Sequence, residues 1–339
     1  MHRRSLFGRL ILALTVALAG ALPGSAQSNM TMVAQGLNGP RGLFFDADDN
    51  LYVAEAGTGG EMSMGAGEGE MSYGPTSQIT RIAPDGTQSV FLPFFASAGN
   101  AVETIGLAQI EVVGDSIWLL TSKGAPNQPF NDALIQLDRT TFRVRNFVDL
   151  FTYEAENDTD GTGEIDSNPT DFTVGADGTV YIVDTGANAL FTWTAESGLE
   201  PFIVWRDNPV PTAIAFAADG SFYIAFLGTG IAPGAGHVEH WNADGSVLLE
   251  TIGGMTAVTD VLVATDGTVY VVELMQFGDQ GPAPNSGRIS ALGPAGLTVY
   301  ADGLNTPYAL AQDADGNLYV STGSAFNPPG SGAVVRLGM

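Results

Sequence analysis

The sequence predicts an all-β protein: a six-bladed β-propeller of four-stranded blades, with the ring closed by an N-terminal strand. Three observations predict it. A phrase of strand, Asp-Gly-type turn and aromatic strand recurs six times, with Tyr52, Trp118, Tyr181, Tyr223, Tyr270 and Tyr319 as its aromatic members. Four residues before each aromatic stands Asp48, Gly114, Asp177, Asp219, Asp266 or Asp315, and twelve before it Pro40, Gly106, Pro169, Pro211, Val258 or Pro307. The chain also stops after the third strand of the last copy, while a spare strand at residues 30–33 precedes the first. Strand-and-turn repeats of this period build propeller blades. Lending the first strand to the last blade leaves no open edge.

Within a copy the elements follow in order. The first strand begins just after the proline position, as at residues 42–45 and 213–216. An Asp-Gly pair then supplies the positive φ of a two-residue hairpin turn. The aromatic strand follows, as at residues 51–53 and 269–272, then a third strand, as at residues 78–82 and 238–241. A second tight turn, such as Asp85-Gly86 or Asp244-Gly245, leads to the fourth strand. The aromatics are spaced unevenly, by 66, 63, 42, 47 and 49 residues. The two long intervals hold insertions, because neither contains a seventh copy of the phrase.

The connections divide into two classes. The Asp-Gly turns are short and lie at one end of the blades. The connections at the other end are long: residues 57–76, 122–132, 228–236, 275–287 and 323–332, and a further insertion at 153–167. One face is trimmed and the other elaborated. Functional groups concentrate on loops held by a rigid scaffold, so the elaborated face is where a site is expected.

The N-terminus reads as an export signal. Arg3, Arg4 and Arg9 precede an apolar run over residues 10–22, and Gly24-Ser25-Ala26 offers a cleavage position. The run is too short to span a bilayer. The expectation is a signal peptide at 1–26 and one propeller domain at 27–339, in the periplasm or outside the cell. Loss of the three arginines takes the net charge from −25 to −28. So acidic a surface disfavours nucleic acid and anionic lipid, and no membrane span remains after cleavage. Arg139, Arg143 and Arg145 read as a solvated strand face. With no cysteine, disulfides are excluded.

Some stretches also resemble a known family. GLNGPRGLFFDADDNLYVAEAGTGG from Gly36, YGPTSQITRI from Tyr73 and VDLFTYEAENDTDGTGEIDSNPTDF from Val148 are similar to the ScyD/ScyE family. The resemblance implies a six-bladed propeller similar to NHL-repeat and SMP-30/gluconolactonase-like proteins, and it carries little chemistry. Relatives often have a cysteine pair in the loop before YGPT. Here the nearby residues are Met62, Ser63, Met71 and Ser72, so that cross-link is not available.

Candidate chemistry comes from positions where the copies disagree. Ten residues before the aromatic the row reads Gly42, Ala108, Asp171, Ala213, Asp260 and Ala309. Small residues suit strands crowding the axis, so Asp171 and Asp260 stand out. Three residues after the aromatic the row reads Glu55, Thr121, Asp184, Phe226, Glu273 and Thr322. Both rows fall at the elaborated end, so these five carboxylates are candidates for a ligand or metal site. Oxygen ligands suit a hard cation such as calcium. The alternative for Glu55, Asp184 and Glu273 is structural: an acid after the aromatic strand can accept backbone N–H groups of its own loops. Asp158, Asp160 and Glu164 alternate like part of a calcium loop, without the spacing of an EF-hand.

Several enzyme classes lack support. His237 and His240 are three apart on a strand and face opposite ways. There is no nucleophile elbow and no phosphate-binding glycine loop. Trp193, Trp205 and Trp241 read as blade packing. The expected function is an exported propeller that binds a small molecule, or an envelope or extracellular protein, at its long-loop face. The alternative is a calcium-dependent, lactonase-like hydrolase with a carboxylate-lined axial site. There the ion would polarise a carbonyl and a carboxylate would act as base. A structural role in the envelope is a third reading.

Overall fold

A computed structural model describes residues 30–64, 70–100, 103–122, 131–279, 281–294 and 296–338. The expected signal at 1–26 and most of the 122–132 connection lie outside the described residues. Six antiparallel sheets follow one another around a ring. The first comprises Pro40–Phe45, Leu51–Glu55, Met71–Ile82 and Gln88–Gly99, with Met62–Met64 and Thr104–Ile105 attached. The second comprises Leu107–Val113, Ser116–Thr121, Ala133–Asp138 and Val144–Asp149, and the third Pro169–Val174, Val180–Asp184, Ala189–Thr194 and Gly198–Val204. The fourth comprises Pro211–Phe216, Phe222–Phe226, Gly236–Trp241 and Leu248–Met255, and the fifth Val258–Val263, Val269–Glu273, Gly287–Gly293 and Gly296–Leu304. The sixth has Leu310–Gln312, Leu318–Thr322 and Gly332–Leu337, and its fourth strand is Met30–Leu37. The ring therefore closes by the expected exchange.

The core lies between blades. Trp118, Leu120 and Leu134 of the second blade bury Phe172, Ile182 and Phe191 of the third. Equivalent clusters fill the other interfaces. At the closure, Ala34 and Leu37 pack with Leu43, Leu51 and Val53 of the first blade. The repeated aromatics are part of this packing: Tyr52 meets Phe91 edge-on at 5.1 Å, Tyr181 meets Phe216 at 4.9 Å and Tyr319 meets Phe45 at 4.9 Å.

The tight turns differ from expectation. Gly178 N–H closes onto Gly175 O, and Gly175 N–H pairs with Thr179 O. The left-handed φ belongs to the glycine alone, +86° at Gly178, and recurs at Gly220, Gly267 and Gly316. This is a type I turn followed by a glycine bulge, longer than a two-residue hairpin. The aspartate caps the turn with its side chain. Asp177 Oδ1 accepts the Thr179 N–H at 3.0 Å, and Asp219 and Asp266 do the same for Ser221 and Thr268. Among the turns from the first to the second strand of a blade, only that of the second blade, with Val113 opposite Ser116, has the two-residue form.

The elaborated end is more regular than the loops expected there. Residues 71–76 belong to the long strand Met71–Ile82, and Met62–Met64 pairs with it. Part of the 153–167 insertion is the helix Leu150–Asn157, capped by Asp149, whose Oδ1 accepts the Thr152 N–H. Of the three arginines read as a solvated strand face, two are ion-paired: Arg145 with Asp115 and Asp138, and Arg139 with Asp46. No helix among the described residues is long and apolar enough to cross a membrane.

The closing strand should carry stability through its buried residues. Leu37 is 1% exposed and Met32 56% exposed. In urea unfolding, Leu37→Ala is expected to cost about 2–5 kcal/mol, and Met32→Ala within about 0.5 kcal/mol of zero.

Candidate functional site

The innermost strands of the first five blades each enter the ring through a register break, as between Pro169 and Asp171 and between Val258 and Asp260. Such breaks re-aim side chains. In the second, third and fifth blades the residue that follows the break is polar: Gln109, Asp171 and Asp260. The crowding expected near the axis is real: a Cβ on Gly42 would lie 2.7 Å from Ala108 O and closer still to the Gln109 side chain.

The five expected carboxylates fall into two groups. Glu55, Asp184 and Glu273 are fully buried, and each is engaged by its own connection. Glu55 accepts from Asn38 N–H at 2.7 Å, from Gln78 Nε2 and from Thr80 Oγ1. Asp184 accepts from Ser167 Oγ and from the N–H groups of Asn168, Gly186 and Ala187. Burial raises its proton affinity, and those bonds oppose the rise. Glu273 accepts from Thr256 N–H and Gln276 Nε2 and pairs with Arg288. These three acids lash the segment entering each blade to the end of its second strand.

Asp171 and Asp260 occupy the axis and bridge blades. Asp171 Oδ2 accepts Ile214 N–H at 2.9 Å, and its Oδ1 accepts Gln109 Nε2 at 3.1 Å. Asp260 Oδ2 accepts Leu310 N–H at 2.6 Å, and its Oδ1 accepts Val261 N–H. Burial pushes the Asp171 carboxyl up to about 6. Burial and the charge of Asp171 push Asp260 well above the carboxylate range. Like charges at close range share protons, so the two titrate as a pair.

Three further groups complete the axial set. Glu111 Oε2 accepts Val174 N–H at 3.1 Å, and burial raises its carboxyl to about 8, with Asp171 adding to the rise. Tyr308 has a raised phenol pKa, first from burial; Asp171, Glu103 and Asp260 push it up and Arg41 opposes them. The Arg41 guanidinium lies 4.4 Å from the centre of the Tyr308 ring. Sequence rows held these signals. Seven residues before the aromatic stand Phe45, Glu111, Val174, Phe216, Val263 and Gln312, where Glu111 and Gln312 break an apolar row. Eleven before it stand Arg41, Leu107, Thr170, Thr212, Thr259 and Tyr308.

The insertion has a different cluster from the one expected. Among the described residues, Glu154, Asp158 and Asp160 form the one group of three potential ligands whose atoms all lie within 4.8 Å. Glu164 is not in it; Glu154, reached from the helix, takes its place. Asp160 accepts from Thr162 N–H and Asn188 Nδ2, Asp158 from Gly163 N–H, and Glu154 from Thr159 N–H. The oxygen donors suit a hard cation, and they also serve as ties within the loop. The axial acids do not match a calcium centre as well. Asp171 and Asp260 each accept backbone N–H groups, and no third carboxylate among the described residues joins them within ligand distance.

Other polar features are already committed. A cleft of about 260 Å³ on the fifth blade, lined by Gln276, Ser286, Arg288 and Asp302, has its arginine paired with Glu273. His237 stacks on Phe226 at 4.4 Å and His240 on Tyr223 at 4.1 Å, so they form no pair. Trp205 and Trp241 both donate to Glu239, pinning the third blade to the fourth.

No family model matches the chain, and no curated protein matches it. Solved structures do. A gluconolactonase from Xanthomonas campestris aligns with a TM-score of 0.59 at 11% identity, over 91% of this chain and 90% of that one. A calcium-binding regucalcin from Agrobacterium tumefaciens aligns with a TM-score of 0.59 at 11% identity, over 92% and 94%. A virginiamycin B lyase from Staphylococcus aureus aligns with a TM-score of 0.53 at 11% identity, over 92% and 100%. At such identity the likeness shows the fold alone, a six-bladed propeller.

Glu111 gives a measurable pH dependence. Its folded pKa, about 8, exceeds the ordinary value of 4.5, so the folded state holds the proton more tightly. That contribution is intact below about pH 4.5 and lost as pH rises through about 8. Glu111→Gln is expected to flatten the fall in melting temperature across this window, measured against wild type by scanning calorimetry.

Proposed function

We propose that this protein is an exported propeller that binds a small polar ligand at the axial mouth of its long-loop face, without turning it over. The observation that carries this reading is the setting of Asp171. One buried carboxyl contacts Gln109 of the second blade and the backbone of the fourth, and it acts electrostatically on Asp260, Glu111 and Tyr308. Polar and charged groups from several blades thus act on one largely desolvated carboxyl. At neutral pH a partly protonated acid set offers both donors and acceptors. Such a set suits recognition of a polar ligand. Export rests on the basic, apolar and small-residue segments of residues 1–26.

The lactonase-like reading draws on the gluconolactonase among the structural neighbours and on the raised proton affinity of Asp171 and Asp260. It asks for an ion at the axis, where the donor set fits poorly. Function belongs to sites and not to folds, so the binding reading stands first.

Two measurements separate them. In a thermal-shift screen of sugars, polyols, amines and guanidines, hits are expected to lose their shift in Asp171→Asn. With glucono-δ-lactone and calcium, no turnover above the uncatalysed rate is expected. Calcium-dependent turnover abolished by Asp171→Asn would overturn the binding reading. A calcium effect on melting that disappears in Glu154→Gln belongs to the insertion; one that disappears only in Asp260→Asn would place the ion on the axis.

A further inference from the structure

Arg41 is held by an aromatic face in place of a carboxylate. The protein has 37 acidic and 12 basic side chains; among the described residues Arg139, Arg145 and Arg288 pair with carboxylates within 4.0 Å, whereas Arg41, like Arg81, Arg143, Arg206 and Arg336, does not. Instead its guanidinium lies 4.4 Å from the centre of the Tyr308 ring, and its Nη2 donates to Thr104 O at 2.7 Å. Three parts of the ring meet in that contact. Arg41 opens the first blade, Thr104 lies just before the second, and Tyr308 just before the innermost strand of the sixth.

The backbones of both partners are fixed. Ser321 Oγ donates to Arg41 O at 2.8 Å, Thr259 Oγ1 donates to Tyr308 O at 2.8 Å, and Tyr308 N–H donates to Ser321 O at 3.0 Å. The side chains are held more lightly, by one aromatic face and one hydrogen bond. A cation on an aromatic face contributes about 0.5–2 kcal/mol. The negative charges of Asp171, Glu103 and Asp260 all act on Tyr308. An aromatic face in the field of several acids is a seat for positive charge.

We propose that Arg41 is a built-in occupant of that seat: its guanidinium covers the face of Tyr308 that the head group of a cationic ligand would use, and ligand enters by displacing it. This rests on the axial mouth being the binding site, and it names the ligand class as a small organic cation, a guanidine or amine. The arrangement is autoinhibitory. An internal occupant lowers apparent affinity by the fraction of time the seat is free.

The test is isothermal titration with methylguanidinium on the folded chain, comparing wild type with Arg41→Gln, Tyr308→Leu and the double variant, each checked by circular dichroism melting. Arg41→Gln should bind about 10-fold more tightly than wild type, as for a seat otherwise free about a tenth of the time. The double variant should lose that gain. Arg41→Lys, which keeps the charge, should stay near wild type and guards against a general loosening. Equal affinity in wild type and Arg41→Gln, or a gain retained in the double variant, overturns the proposal. If Arg41→Gln shows no gain while screen hits still depend on Asp171, only this inference fails. If Asp171→Asn leaves every hit unchanged, the binding reading fails with it.

Discussion

The innermost strand of each blade has a hydrogen-bonded neighbour on one side and the axis on the other. Its free edge carries backbone N–H groups that face a narrow channel, and a buried donor without an acceptor is costly. A second strand cannot be added, because the ring leaves no room. The chain meets this constraint with side chains of the preceding blade. Asp171 takes the Ile214 N–H, Asp260 takes the Leu310 N–H and Glu111 takes the Val174 N–H. Propeller geometry thus requires acceptors at the axis, and here the acceptors are mostly carboxylates.

What makes the site chemically distinct follows from that requirement. A carboxylate placed to accept an inner-strand N–H is also removed from water and set near others of its kind. Asp171, Asp260 and Glu111 consequently hold their protons well above the ordinary range. The acids at the ends of the second strands meet a milder demand. Each has several donors from its own connection, so Glu55, Asp184 and Glu273 act as local ties. The same residue type thus performs two jobs, set by whether its donors come from its own loops or from the next blade.

Much of the fold was legible because the repeat enforces it. A fixed spacing from proline to aromatic gives strand, turn and strand, and the surplus N-terminal strand announced its place in the last blade. The turn type was not legible: Asp-Gly suggests two positive φ values, whereas the acid here caps the turn by accepting the N–H two residues on. Comparing the copies by register drew attention to Asp171 and Asp260. The neighbouring rows, compared in the same way, hold Glu111, Arg41 and Tyr308 too. The cluster of Glu154 with Asp158 and Asp160 was hidden, since a helical turn before the acidic loop supplies its third member. Nor could register tell a ligand acid from a tying acid, because that depends on which N–H groups lie within reach.

The inner-edge carboxyls form a proton-holding set on the axis, and on this the rest depends. A carbon-detected NMR titration of the Asp and Glu carboxyl resonances, assigned with Asp171→Asn and Glu111→Gln, tests it most directly. The expected midpoints are near 6 for Asp171 and near 8 for Glu111, with the Asp171 curve broadened by coupling to Asp260. Midpoints near 4 for both, as for carboxylates in water, would contradict it.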